Sequence, residues 1–121
     1  MGVKKTILKE GDNKSYPQKH DTLKMHYVGT LQKGGKKFDS SRDKNKPFQF
    51  VIGIGQVIKG WDEGVMKMSV GELAVLEISS DYGYGKKGAG GVIPPDAALK
   101  FEVELLSING VGSGGGGCNI I

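Results

Sequence analysis

Residues Leu23 to Leu31 alternate in character, with Leu23, Met25, Tyr27 and Gly29 on one parity and Lys24, His26, Val28 and Thr30 on the other. That period predicts a strand buried more heavily on one face. Segments 48–52 and 73–78 repeat the theme, and 99–105 alternates strictly, so an antiparallel sheet with one wet face follows. Ile58, Trp61, Val65 and Met68 recur instead at intervals of three and four. Gly60 and Gly64 thin what reads as the opposite side, and the pattern predicts one short helix packed across the sheet.

Glycine and proline mark the connections. Lys33-Gly34-Gly35 reads as a hairpin tip, and Ser40 to Lys46 as a charged loop closed by Pro47. A long excursion runs from Asp81 to Ala98, and loops of that length in compact domains carry function or are disordered. Its Tyr82, Tyr84, Val92 and Ile93 argue for order. From Gly112 the chain turns to Gly-Ser-Gly-Gly-Gly-Gly, a coil that supports no packing, which divides it into a domain over 1–109 and a tail over 110–121.

A chain of 121 residues has room for one domain and one core. The formal charge of +4 comes from lysines spread among acids, with only pairs such as Lys36-Lys37 and Lys86-Lys87, a distribution that argues against a nucleic-acid partner. Cys118 is the single cysteine and lies in the last four residues, leaving no disulfide, no C-x-x-C pair and no zinc spacing. No metal or cofactor is expected, and a reducing, cytoplasmic setting fits. There is neither an N-terminal apolar segment of the secretory kind nor a long apolar span.

The candidate chemistry centres on Trp61, the only tryptophan. It either plugs a core or floors a pocket. Composition alone favours the core, since large rings usually build the interior of a small domain; Tyr27, Phe38, Phe48, Tyr82 and Tyr84 sit in separate segments, most beside glycine, proline or a charge, a context that favours the pocket. Asp39 is a candidate polar wall or a turn-former before Ser40-Ser41. His26 and His20 read as structural, Phe50, Leu76, Val103 and Leu105 as core, and Asp62 and Glu63 as favourable charges in the first helical turn.

The order of short motifs is more specific than any one of them: His26-Tyr27-Val28-Gly29, Lys37-Phe38-Asp39-Ser40-Ser41-Arg42, Pro47-Phe48-Gln49-Phe50, Val57-Ile58-Lys59-Gly60-Trp61, Asp81-Tyr82-Gly83-Tyr84-Gly85, Val92-Ile93-Pro94-Pro95 and Phe101-Glu102-Val103-Glu104-Leu105. From about Gly2 to Ile108 the chain resembles the small single-domain immunophilins that bind tacrolimus and rapamycin, the FKBP-type peptidyl-prolyl cis–trans isomerases. The resemblance implies an α+β fold, a five- to six-stranded twisted antiparallel sheet wrapped around one short helix, in a monomer. It makes Trp61 the pocket floor and puts Tyr27, Phe38, Phe48, Val57, Ile58, Tyr84, Ile93 and Phe101 on the wall with Asp39. It further implies that the Ile58 N–H and the Tyr84 hydroxyl donate to ligand carbonyls, that Tyr27, Asp39, Trp61, Tyr84 and Phe101 act in catalysis, and that Tyr82 supports the loop.

Such a lining suits amide rotation, which needs no nucleophile and no acid–base pair. The Xaa–Pro bond is held by a barrier of about 20 kcal/mol from amide resonance. Surroundings that favour the twisted, less dipolar amide lower it. The partners implied are proline-containing peptides and protein chains, tacrolimus- and rapamycin-type macrolides, and a protein at the drug-bound surface. A second reading is a non-catalytic binding module that docks a partner through the pocket and the loops around Arg42, Lys44 and Lys86-Lys87. Two departures from the family pattern bear on partner choice: Ala89 leaves one lip of the pocket barer, and Lys33 to Lys36 lengthens the hairpin by a residue. The ending Cys118-Asn119-Ile120-Ile121 has the position of a prenylation box, with Asn119 weakening the match, and the glycine run before it equally suits an appended tag. Membrane contact is expected only if Cys118 is prenylated.

Overall fold

The computed structural model describes residues 2–90 and 92–112. Its strands are β1 (Val3–Lys9), β2 (Thr22–Leu31), β3 (Lys37–Ser40), β4 (Phe48–Val51), β5 (Leu73–Ile78), β6 (Leu99–Ile108) and β7 (Val111–Gly112), with one α-helix, α1 (Lys59–Gly64), between β4 and β5. All pairings are antiparallel, in the order β1-β5-β6-β2-β3, while β4 also pairs with β2 and the two-residue β7 folds back on β6. β4 takes Thr22–Met25 and β3 takes Val28–Thr30, so the two lie end to end along one edge of β2. Six strands thus make a sheet five strands wide, as expected for the fold class, with β7 appended.

The alternation read along each strand sets the register. Tyr27 and Ala74 both pair with Val103, Met25 with Leu105, Leu76 with Phe101, and all seven are buried. Because period two puts alternate side chains on opposite faces, these pairs form one continuous apolar face. Its opposite parity carries Lys24, His26, Lys100, Glu102 and Glu104, which keep contact with solvent. β6 accommodates one extra residue where the register shifts opposite Lys24 and Met25.

At six residues α1 is too short to hold itself together, and its fixed position comes from packing. It continues into a 3₁₀ turn over Val65–Lys67 and ends where Met68 becomes extended. Trp61, Val65 and Met68 are buried in the core as their spacing predicts. The glycines differ from the sequence reading: Gly60 and Gly64 are also buried and face the sheet rather than thinning the far side. A Cβ at Gly60 would lie 2.6–2.8 Å from three atoms of Ile78, and one at Gly64 3.1 Å from Leu76 and Val3. Glycine therefore sets how closely the helix approaches β5. Asp62 does more than favour the helix dipole, since its carboxylate accepts from the Gly53 N–H at 2.9 Å and the Gly55 N–H at 3.0 Å, tying the preceding loop to the first turn.

β1 and β3 were not legible as strands from alternation. β1 is an edge strand with most of its side chains exposed, so it shows little of the buried-face period. Its pairing with β5 is supported by Lys5, which reaches the buried Glu72 at 2.8 Å. β3 has only four residues, and its place follows from long-range pairing with β2. The predicted hairpin tip at Lys33-Gly34-Gly35 is a turn closed by Leu31 N–H on the Lys36 carbonyl and Gly35 N–H on the Leu31 carbonyl. Pairing with β6 continues past Asn109 through Val111–Gly112. The rest of the glycine-rich tail and Cys118 lie outside the described residues. No helix among the described residues is long and apolar enough to cross a membrane.

Gly60→Ala is expected to destabilise the fold by about 1–2 kcal/mol in urea unfolding, although alanine is the better helix former, because the added methyl overpacks against Ile78. In an Ile78→Ala background the same substitution is expected to be neutral or stabilising. Equal losses in both backgrounds would contradict close packing as the cause.

Candidate active site

Between α1 and the concave apolar face of the sheet lies a cavity of about 430 Å³. Its floor is Trp61, only 6 % exposed, whose ring centroid lies 4.9 Å from that of Tyr27 on β2, 5.0 Å from Phe101 on β6 and 5.7 Å from Phe48 on β4. All three contacts are edge-on, the arrangement in which the positive rim of one ring meets the negative face of another. Phe50 packs behind, stacked on Phe48, and stays in the core as expected. Three strands and the helix thus meet at one indole.

Phe38 reaches this cluster because of Gly29. A Cβ there would sit 2.7 Å from the Phe101 ring and 2.8 Å from the Phe38 ring, so only glycine lets the two meet over β2, edge-on at 5.6 Å. Val57 and Ile58 close the helix side and Tyr84 the outer lip. The structure therefore brings together Tyr27, Phe38, Asp39, Phe48, Val57, Ile58, Trp61, Tyr84 and Phe101 around one hollow. Ile93 stands apart from this lining: its side chain is 5 % exposed within the core, and its backbone exchanges both hydrogen bonds with Ala89. That exchange closes the tip of the long loop. Gly88 precedes it with φ +66°, and a Cβ there would collide with the Ile93 carbonyl at 2.1 Å. Ala89 itself is partly buried against the core. Tyr82 lies under the Lys59 ammonium, 4.4 Å from its ring centre, away from the cavity lining.

The polar groups divide sharply. The Asp39 carboxylate is already engaged: the Tyr27 hydroxyl donates to Oδ2 at 2.6 Å, the Ser40 N–H to Oδ1 at 2.9 Å, and the Lys44 ammonium lies 3.1 Å from Oδ1. Burial works against its charge, but these donors outweigh burial and hold Asp39 below the usual carboxylate range. Burial, and then the charge of Asp39, push the Tyr27 and Tyr84 phenols up. The donors facing the hollow are different. Ile58 is the N-cap of α1, with extended backbone, and its N–H meets no acceptor among the described residues. The Tyr84 hydroxyl likewise has no partner among them, and Tyr84 is 40 % exposed. The Trp61 Nε1–H is buried without an acceptor.

Behind the wall, the buried Ser41 hydroxyl accepts from the Tyr27 N–H at 2.7 Å and contacts His26 Nδ1 at 2.9 Å. This joint holds the chain where β3 leaves β2, and gives His26 the structural place expected of it. Gln56 is the lining residue that sequence reasoning missed. No periodicity marks it, and only its position just before Val57 and Ile58 could have drawn attention to it.

A larger hollow of about 510 Å³, between Leu31–Lys33 and Pro94–Ala98, has no aromatic ring in its lining. Among the described residues the lining of the aromatic cavity includes no serine, cysteine, histidine or lysine. The fold and site define a receptor for an apolar group that carries hydrogen-bond acceptors. Residues 13–106 match the family profile of the FKBP-type peptidyl-prolyl cis–trans isomerase. The chain is 60 % identical over 109 residues to FK506-binding protein 1 of Yarrowia lipolytica, covering 90 % of this chain and 100 % of that one. It is 55 % identical over 109 residues to a peptidyl-prolyl cis-trans isomerase of Schizosaccharomyces pombe (90 % and 96 % covered), and 55 % identical over 108 residues to peptidyl-prolyl cis-trans isomerase FKBP1A of Xenopus laevis (89 % and 99 % covered). The chain belongs to the FKBP-type peptidyl-prolyl cis–trans isomerase family, and its activity is to accelerate rotation about Xaa–Pro peptide bonds.

The shifts in the site have a consequence for pH. Asp39 stays ionised down to below the ordinary carboxylate range, and both phenols stay protonated above the ordinary phenol range, so none of the three changes charge near neutrality. The expected kcat/KM profile is flat between about pH 5.5 and 8.5, and a bell-shaped profile in that window would contradict this assignment. The stabilising engagement of Asp39 is expected to be complete above its unfolded-state pKa and lost as pH falls through its lower folded-state pKa. Carbon-detected titration of wild type against Tyr27→Phe, which should titrate at higher pH, checks the cause.

Proposed function

We propose that the Xaa–Pro bond turns in the cavity above Trp61, and that tacrolimus- and rapamycin-type macrolides inhibit by filling the same space. The proline ring stacks on the indole. Phe48, Phe101, Val57 and Ile58 exclude water, and the Ile58 N–H and Tyr84 hydroxyl hold the substrate carbonyls. The observation that carries this reading is the split between open donors and an engaged carboxylate. A peptide bond entering the cavity finds donors for its oxygens and meets a carboxylate whose charge is already balanced. Taking the carbonyl out of water disfavours the planar, more dipolar amide, and rotation then proceeds without any covalent bond being made or broken. Asp39 acts by fixing Tyr27 and by setting the local field.

Proline-containing peptides and flexible protein chains are the substrates in this reading, with a bulky apolar residue before the proline favoured by the aromatic walls. Cytoplasmic placement accords with the absence of thiol pairs from the globular part. A docking role at the drug-bound surface draws on the exposed Tyr84 at the outer lip and on the loops around Arg42, Lys44 and Lys86-Lys87.

The test is cis/trans exchange of a short Leu-Pro peptide measured by NMR, with rapamycin and with Asp39→Val as challenges. Wild type is expected to accelerate exchange, rapamycin to abolish the acceleration, and Asp39→Val to reduce kcat/KM by about ten-fold, roughly the worth of one charge-assisted hydrogen bond. A folded wild-type sample whose acceleration survives saturating rapamycin would place catalysis elsewhere.

A further inference from the structure

We propose that the side-chain amide of Gln56 is a substrate-binding group that donates a hydrogen bond to a backbone carbonyl outside the Xaa–Pro pair. This rests on the cavity reading above and extends it to the length of chain the enzyme grips. Gln56 lines the cavity although it is exposed, so it stands at the mouth, two residues before the Ile58 N–H.

Its amide is oriented by a backbone donor. The Val51 N–H lies 2.9 Å from Gln56 Oε1. A backbone N–H can only donate, so the atom it meets must be the oxygen, and the NH₂ group is directed away from β4. Among the described residues nothing accepts from that NH₂. A residue of the cavity lining thus carries a donor on an amide oriented by β4, and a group oriented in advance loses less entropy on binding than a mobile one.

The number of donors gives the rest of the argument. The two carbonyls of the Xaa–Pro pair are matched by the Ile58 N–H and the Tyr84 hydroxyl. A further donor on a lining residue, solvated in the empty protein, is available to a further carbonyl of a longer bound chain. In an extended peptide each successive residue advances by about 3.3–3.6 Å, so a chain leaving the cavity past Ile58 carries its next carbonyls along the segment where Gln56 stands. The chemistry it recognises is an ordinary peptide carbonyl, which gives grip without side-chain preference.

Gln56→Glu separates this role from simple loop support. It keeps an oxygen for the Val51 N–H but replaces the outward donors with a carboxylate oxygen. The measurement compares kcat/KM for a capped Leu-Pro dipeptide with that for the same dipeptide extended by two alanines on each side. The expected result is a fall of about three- to ten-fold in the extended-to-short ratio, carried by KM, as for loss of one hydrogen bond. Gln56→Leu, which loses both the donor and the Val51 contact, should lower the ratio by at least as much, with the thermal midpoint and Val51 amide exchange recorded for each variant. A wild-type ratio in Gln56→Glu, or an equal loss on both peptides, would overturn the proposal. Failure of the cavity reading would be distinguishable, because wild type would then not accelerate even the short peptide in a rapamycin-sensitive way.

Discussion

The edge-on contacts of Trp61 with Tyr27, Phe48 and Phe101 are the constraint on which the rest of the structure depends. One indole carried by a six-residue helix touches β2, β4 and β6, so helix position, sheet curvature and cavity depth are all referred to a single side chain. Each such aromatic pair is worth about 0.5–1.5 kcal/mol beyond its buried area, enough together to fix a helix that could not form alone. The glycines complete the arrangement by omission. Gly60 lets the helix close on Ile78, and Gly29 lets Phe38 reach Phe101, so the floor is as low and the wall as continuous as the backbone permits.

An apolar hollow would bind grease indiscriminately if its few polar groups were not organised. Here the acceptor is engaged and donors are left open. Asp39 is held by Tyr27, Ser40 and Lys44, and Ser41 anchors the strand that carries Tyr27. The open donors belong to the helix N-cap and the long loop, elements whose backbone departs from regular pairing. The Trp61 indole N–H is open as well, and it is buried; a buried polar group left without a partner usually marks function, because it costs stability in the empty protein. A reaction that needs only a changed environment for an amide is served by this division, since no group has to gain or lose a proton.

Much of this was legible in the sequence, and the parts that were not share a cause. Alternation exposed the inner face of β2, β5 and β6 because those strands bury one parity, and the three-four spacing exposed α1. β1 and β3 escaped because an exposed edge strand and a four-residue strand carry little periodic signal. The side to which Gly60 and Gly64 face was misread, since helix patterning scores glycine as absence of bulk and cannot tell a thinned surface from a close approach. Among the site residues, the aromatic lining followed from motif order, whereas Gln56 carried no periodic or compositional mark. Ile93 matched a wall position by motif, but its packing under the loop tip with Ala89 is a tertiary fact.

The single tryptophan offers the most direct test of the central claim, that the substrate proline rests on the Trp61 floor while it turns. Titrating a Leu-Pro peptide into the protein while following the indole N–H resonance reports on that contact alone. The account predicts a saturable shift whose concentration dependence matches that of catalysed exchange and which rapamycin displaces. An indole resonance that stays unmoved at peptide concentrations where exchange is fully catalysed would contradict it.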